Sequence, residues 1–328
     1  MSGTAWTEFL LLIAGTIRLS VPLLLAALAG IFAERSGVAD LGLEGKMLAG
    51  AFAAAAIAAV TGQAVPGLLA AMAAGIVLSL IHFYATVARP GDQVVSGMAI
   101  NLIAAGLVPT MAYALFDLGG QTPPLAGDAR LAGITLPLAN SRATGLAARI
   151  YATVISGHSA LAYLALLLVP LSTAAIYRTG WGLRLRAVGE NPEAVAAAGR
   201  NVVRLRLQAL MVNGALCGLA GAYLSLAANA GYTRDMTAGK GYLAIAALIL
   251  GRWKPWPTFA ACLLFAAADA VQGRLQGVHL QVLGTIPAIW ISALPYVATV
   301  LALAITGRGV AMPRALGLPY SGRGESAR

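Results

Sequence analysis

Apolar residues fill nine stretches of this chain, near 9–32, 41–61, 66–88, 94–116, 160–177, 207–228, 236–251, 257–272 and 285–306, and polar residues gather between them. Most of these stretches approach the roughly 20 residues that a helix needs to cross a bilayer. The pattern predicts an all-α, polytopic transmembrane helix bundle of about 8–10 spans, some of them short or re-entrant. Residues 1–306 form the transmembrane domain in this reading, and 307–328 form a basic tail. The longest polar interruption, 117–159, holds the turn formers Pro123, Pro124, Gly127 and Asn140.

The interruption at 178–206 differs from the rest, because it carries six arginines between two apolar runs. Its centre, GENPEAVAAAG, has the signals of a short helix. Asn191 stands at the N-cap, Pro192 at the first helical position, Glu193 in the first turn and Gly199 at the stop. A small capped helix against the inner membrane face is suited to docking a cytoplasmic partner.

Composition agrees with the apolar pattern. Of 328 residues 59% are hydrophobic and 10% charged, against about a quarter charged in soluble domains. Mean hydropathy is +0.80. The net charge of +10 does not point to nucleic acid, because the basic residues fall in loops and the tail. They sort by side instead. With 178–206 inside and alternating crossings, fifteen Lys and Arg lie inside and six outside, as the positive-inside rule requires. The 117–159 loop is then external and the C-terminus cytoplasmic; nine crossings put the N-terminus outside. No cleavable signal peptide is evident at 1–8.

Two segments are unlike ordinary spans. SGVADLGLEGKMLAG (36–50) carries four glycines with Asp40, Glu44 and Lys46. DMTAGKGYLAIAALILG (235–251) has Gly239, Lys240 and Gly241 ahead of a short apolar run. Glycine-interrupted segments in corresponding halves are sequence pointers to a transport pathway, and these two are expected to be pseudo-equivalent. Glu44 and Lys46 are expected near the membrane interface, where charge costs less. Arg18 lies halfway along its run and either snorkels, pairs with an acid or lines a polar pathway. Asp269 is expected at the outer interface. Asn101 and Asn213 are mid-span amides that either bond between helices or face the pathway. Gly214 and Gly218 form a GxxxG that allows close helix approach.

Other chemistry is poorly supported. Cys217 and Cys262 lie in apolar runs without a CxxC, as small buried residues do. His82, His158 and His279 are scattered. There is no GxxxxGK[ST], HExxH or GxSxG pattern.

Three passages together carry a family likeness: ERSGVADLGLEGKMLAGAF (34–52), WGLRLRAVGENPEAVAAAGRNV (181–202) and DMTAGKGYLAIAALILGRWKP (235–255). They closely resemble permease subunits of bacterial ABC importers, in the branch serving branched-chain amino acids, simple sugars and nucleosides. The nearest resemblance is to the nucleoside type, with mild departures at Asp40, where asparagine is usual, and at Leu41, where isoleucine is usual. The resemblance implies a chain of the bacterial inner membrane that pairs with a second, homologous permease subunit. It implies an ABC ATPase subunit that binds ATP and magnesium, so this chain holds no cofactor or metal. It also implies an extracytoplasmic substrate-binding protein that delivers a small molecule.

On the same grounds the 178–206 loop is the expected ATPase-coupling element, with Gly189, Glu190, Asn191, Pro192 and Glu193 at its core and Arg184 and Arg186 flanking. The expected pathway residues are Glu44, Asn101, Asn213, Gly241 and Tyr242. The alternatives are a sugar or branched-chain amino-acid permease and a stand-alone secondary transporter, for which Asp40, Glu44 and Asp269 are the acidic candidates.

Overall fold

The computed structural model of the chain describes residues 3–137, 145–275 and 312–320, with short pieces between 279 and 304. The expected span at 285–306, together with Asn140 and most of the 307–328 tail, lies outside the described residues.

Eleven helices follow in order among the described residues: α1 (Gly3–Arg35), α2 (Leu43–Thr61), α3 (Ala64–Phe83), α4 (Gln93–Phe116), α5 (Leu146–Ile150), α6 (Ala160–Arg178), α7 (Gly180–Glu190), α8 (Pro192–Ala197), α9 (Val202–Ala222), α10 (Lys240–Leu250) and α11 (Pro255–Leu275). Single π-helical turns extend α3, α5 and α9. Seven helices are long and apolar enough to cross a membrane, namely α1 to α4, α6, α9 and α11. They match seven of the nine expected runs.

The 236–251 run is short, as its glycines suggested. α10 has only 11 residues, about 16 Å at 1.5 Å per residue, which is half of a hydrocarbon core of roughly 30 Å. The chain crosses here nonetheless. Tyr232 stacks edge-on against Phe52 and meets the 117–159 loop at Thr122, whereas Trp253 reaches Glu34 and Arg35 at the C-terminal end of α1. The outer part of the crossing is irregular backbone. Within it Tyr232 is 1% exposed and Thr237 2%, whereas Thr233, Arg234, Asp235 and Ala238 are exposed.

α9 is the buried spine, packed against α1, α2 and α3. Glycines make this closeness possible. A Cβ on Gly214 or Gly218 would strike the backbone of Gly75 or Ala71 in α3, and one on Gly221 would strike Met47 in α2. The GxxxG thus does what small-residue spacing allows. Around the spine a continuous apolar core includes Leu24, Leu28, Met47, Cys217 and Phe265. Both cysteines are buried and free.

At the end of the bundle away from the 178–206 stretch, the loop after α4 runs along the end of α9. Leu125 N–H donates to Ala230 O and Leu131 N–H to Leu226 O. A two-residue ladder, β1 (Gly133–Ile134) with β2 (His158–Ser159), closes this side ahead of α6. A similar short pair joins β3 (His279–Leu280) and β4 (Gly284–Thr285).

Candidate functional site

The two glycine-rich segments meet. Glu44, in the first turn of α2, accepts hydrogen bonds from Gly239 N–H at 2.8 Å and Gly241 N–H at 2.6 Å. These donors belong to the start of α10, where no residue of α10 itself supplies a side-chain cap. A carboxylate placed there satisfies orphan donors and favours the positive end of the helix dipole. Gly241 has no room for a side chain, since a Cβ would meet the Glu44 backbone. Gly239 adopts φ +78°, a left-handed conformation that suits glycine.

Asn101 joins the same contact from α4. Its Nδ2 donates to Leu41 O at 2.8 Å and lies 3.0 Å from the Tyr242 hydroxyl, while its Oδ1 accepts from Gly45 N–H at 2.8 Å. Glu44, Asn101 and Tyr242 line a cavity of about 250 Å³, together with Leu48, Met98 and Thr237. Tyr242 is 43% exposed, so its ring is open to a neighbour or a ligand. Four of the five expected pathway residues are therefore brought to one place.

The fifth, Asn213, is not among them. It is fully buried in α9, and its Oδ1 accepts from Lys46 Nζ at 2.9 Å and from Ser79 Oγ at 3.2 Å. Lys46 in turn pairs with Asp40 at 2.5 Å, and both are 0% exposed. Lys46 and Asp40 thus neutralise each other inside the protein. Asp40 Oδ1 also accepts from Gly42 N–H at 3.0 Å. His82 bonds Ala39 O at 3.1 Å and Ser96 Oγ at 3.0 Å. This buried network fixes the irregular 36–42 elbow against α3, α4 and α9.

The 178–206 stretch holds two helices where the sequence suggested one. Asn191 Oδ1 accepts from Ala194 N–H at 3.0 Å and caps α8, Pro192 occupies its first turn, and Gly199 lies at φ +73° beyond its end. Val195 is buried with Val188, Val202 and Leu205, while Glu190, Glu193, Ala194, Ala197 and Ala198 are exposed. α7 is the helix that sequence reading missed. Its cap is Thr179, whose hydroxyl accepts from Gly182 N–H at 3.0 Å, a signal hidden by the glycines at 180 and 182.

Gly189 is buried at the end of α7, where a Cβ would strike the Arg35 carbonyl. The flanking arginines fold back on the protein. Arg184 Nε donates to Gly180 O, and the Arg186 guanidinium stacks 4.9 Å from the Tyr177 ring.

The tail adds contacts that nothing in the sequence announced. Ala315 N–H donates to Gly189 O at 2.8 Å, and Gln93 Nε2 donates to Leu318 O at 3.3 Å. Arg206 Nε donates to Ser36 O at 3.2 Å, with its guanidinium near the Tyr320 ring. The end of the 178–206 stretch, the 36–42 elbow and the start of α4 are thereby tied together.

The branched-chain amino acid transport system permease component family matches residues 12–305. A guanosine ABC transporter permease protein of Bacillus subtilis is 34% identical over 94% of this chain and 96% of its own length. A nucleoside ABC transporter permease protein of Lactococcus lactis is 30% identical, with 94% and 96% covered. A Haloferax volcanii permease provisionally named for glucose is 33% identical, with 82% and 79% covered. No solved structure matches. A bundle of apolar helices, matched by the family over nearly its whole length, makes this multi-pass membrane protein a member of the branched-chain amino acid transport system permease family.

Proposed function

We propose that the chain is a permease subunit of an ATP-driven ABC importer that moves nucleosides or nucleobases inward by alternating access. It pairs with a second homologous permease subunit. An ABC ATPase subunit binds ATP and magnesium and supplies the energy, and an extracytoplasmic binding protein supplies the substrate. The observation that carries the nucleoside reading is likeness to two relatives named for guanosine and nucleosides over 94% of the chain.

α8 is the coupling knob in this reading. Its exposed alanines fit a groove on the ATPase, and Glu190 and Glu193 lie at the rim. Movement of α8 passes to Gly189, which leans on the end of α1, and through the 36–42 elbow to α2. There Glu44 grips the start of α10, and Asn101 grips Tyr242. A rigid shift of α2 thus opens or closes the cavity, where the Tyr242 ring stacks a base or a sugar and the neighbouring polar groups bond its edge. Import of simple sugars is the second reading; the glucose-named relative matches a smaller share of the chain, 82%.

Uptake competition tests the choice. Labelled uridine uptake by cells expressing the importer is expected to fall with excess guanosine and to persist with excess ribose or leucine. Competition by ribose alone would move the assignment to sugars.

A further inference from the structure

Arg18 is a charged residue on α1 that the transport reading does not use. It is exposed and lines a cavity of about 480 Å³ between α1, the β1–β2 hairpin and the outer end of α9. It makes no hydrogen bond or ion pair among the described residues, where the ion pairs are Lys46–Asp40 and Arg234–Asp235. Asp269 lines a smaller neighbouring space with Lys240 and with Leu19, which borders both. Tyr223 lines the same cavity as Arg18; it is 5% exposed, and its hydroxyl has no hydrogen-bond partner among the described residues.

Depth identifies what an anion there would be. Arg206 of α9 bonds Ser36 at the inner end of α1. Arg18 along α1 and Tyr223 along α9 both lie about 25 Å outward of that contact at 1.5 Å per residue. This is close to the outer edge of a hydrocarbon core of roughly 30 Å, at the level of lipid headgroups. Leu11, Gly15 and Arg18 share one face of α1 at helical spacing. Leu11 is 49% exposed, so the guanidinium opens on the same face as a bare apolar side chain. Gly15, Gly133 and Gly157 leave the cavity wall low, while Leu19, Leu131 and Ala227 make part of it apolar. At this depth an arginine can meet headgroup anions, and a phosphate matches its fork in geometry and charge.

We propose that this cavity binds the phosphate of a phospholipid headgroup at the outer leaflet, with the Arg18 guanidinium and the Tyr223 hydroxyl as its donors. The site is independent of the transported substrate.

The test uses the full chain, purified with its accompanying subunits and stripped of lipid in neutral detergent. The midpoint of thermal unfolding is followed while phosphatidylglycerol, diacylglycerol or inorganic phosphate is added. Phosphatidylglycerol is expected to raise the midpoint, and diacylglycerol, which lacks the phosphate, to leave it unchanged. Arg18→Gln is expected to weaken the half-saturating concentration about tenfold, the effect of losing one charge-assisted contact. Tyr223→Phe, which keeps the ring and its packing, gives a smaller loss and serves if Arg18→Gln fails to fold. An equal response to inorganic phosphate would remove the lipid from the proposal. Identical titrations of wild type and both variants, or stabilisation by diacylglycerol as strong as by phosphatidylglycerol, would overturn it.

Discussion

The Glu44 carboxylate accepts the N–H of Gly241 at 2.6 Å across 197 residues of sequence. This bond joins the two irregular segments of the chain and supplies the cap that α10 lacks. Glu44→Gln keeps the shape but removes the charge that favours the helix N-terminus. The expected result is a fall of about tenfold in the transport rate at unchanged expression, from roughly 1.5 kcal/mol of lost charge-assisted bonding. Initial uptake rates in membrane vesicles check it, and an unchanged rate would separate this contact from transport.

Gly189 touches the carbonyl of Arg35, where nothing larger fits. Gly189→Ala is expected to push α7 off the end of α1 and to cost about 1–3 kcal/mol through overpacking. The diagnostic readout is the number of substrate molecules moved per ATP hydrolysed. That ratio should fall more than ATP hydrolysis itself does.

Asn191 caps α8 through Ala194 N–H, a contact worth about 1 kcal/mol. Replacing Glu190 and Asn191 together with alanine is expected to loosen the knob without touching any helix that spans the membrane. ATP-driven uptake should drop while the amount of inserted protein on a membrane blot stays constant. Full activity in the double variant would take the coupling role away from α8.

The Lys46–Asp40 pair is buried on both sides. Lys46→Met alone leaves a carboxylate without its partner and is expected to destabilise the fold by about 3–5 kcal/mol. Adding Asp40→Asn removes the stranded charge and should restore most of the loss. Thermal unfolding of the two variants in detergent measures the difference, and equal midpoints would mean that the pair carries no such burden.

Much of this architecture is legible in the chain because the bilayer simplifies the rules. Seven spans appear as apolar runs, and α8 appears through Asn191, Pro192 and Gly199, whose signals are local. Glu44, Asn101 and Tyr242 are recognisable as polar groups among apolar neighbours, but their meeting depends on packing across three helices. Asn213 looks the same as Asn101 in sequence, and only its contact with Lys46 separates a structural amide from one that lines a cavity. Gly239 and Gly241 mark 235–251 as unlike an ordinary span, and α10 keeps only 11 helical residues. The docking of 312–320 on Gly189 leaves no trace in composition, since it rests on backbone groups.

The most direct test is to purify the tagged chain from its native membranes in mild detergent and identify what accompanies it. The expected result is an ATP-binding subunit and a second permease in the same particle, with uptake by the reconstituted particle dependent on ATP. A chain that purifies alone and transports after reconstitution without ATP would contradict the importer reading and turn attention to Asp40, Glu44 and Asp269 as ion-coupling groups.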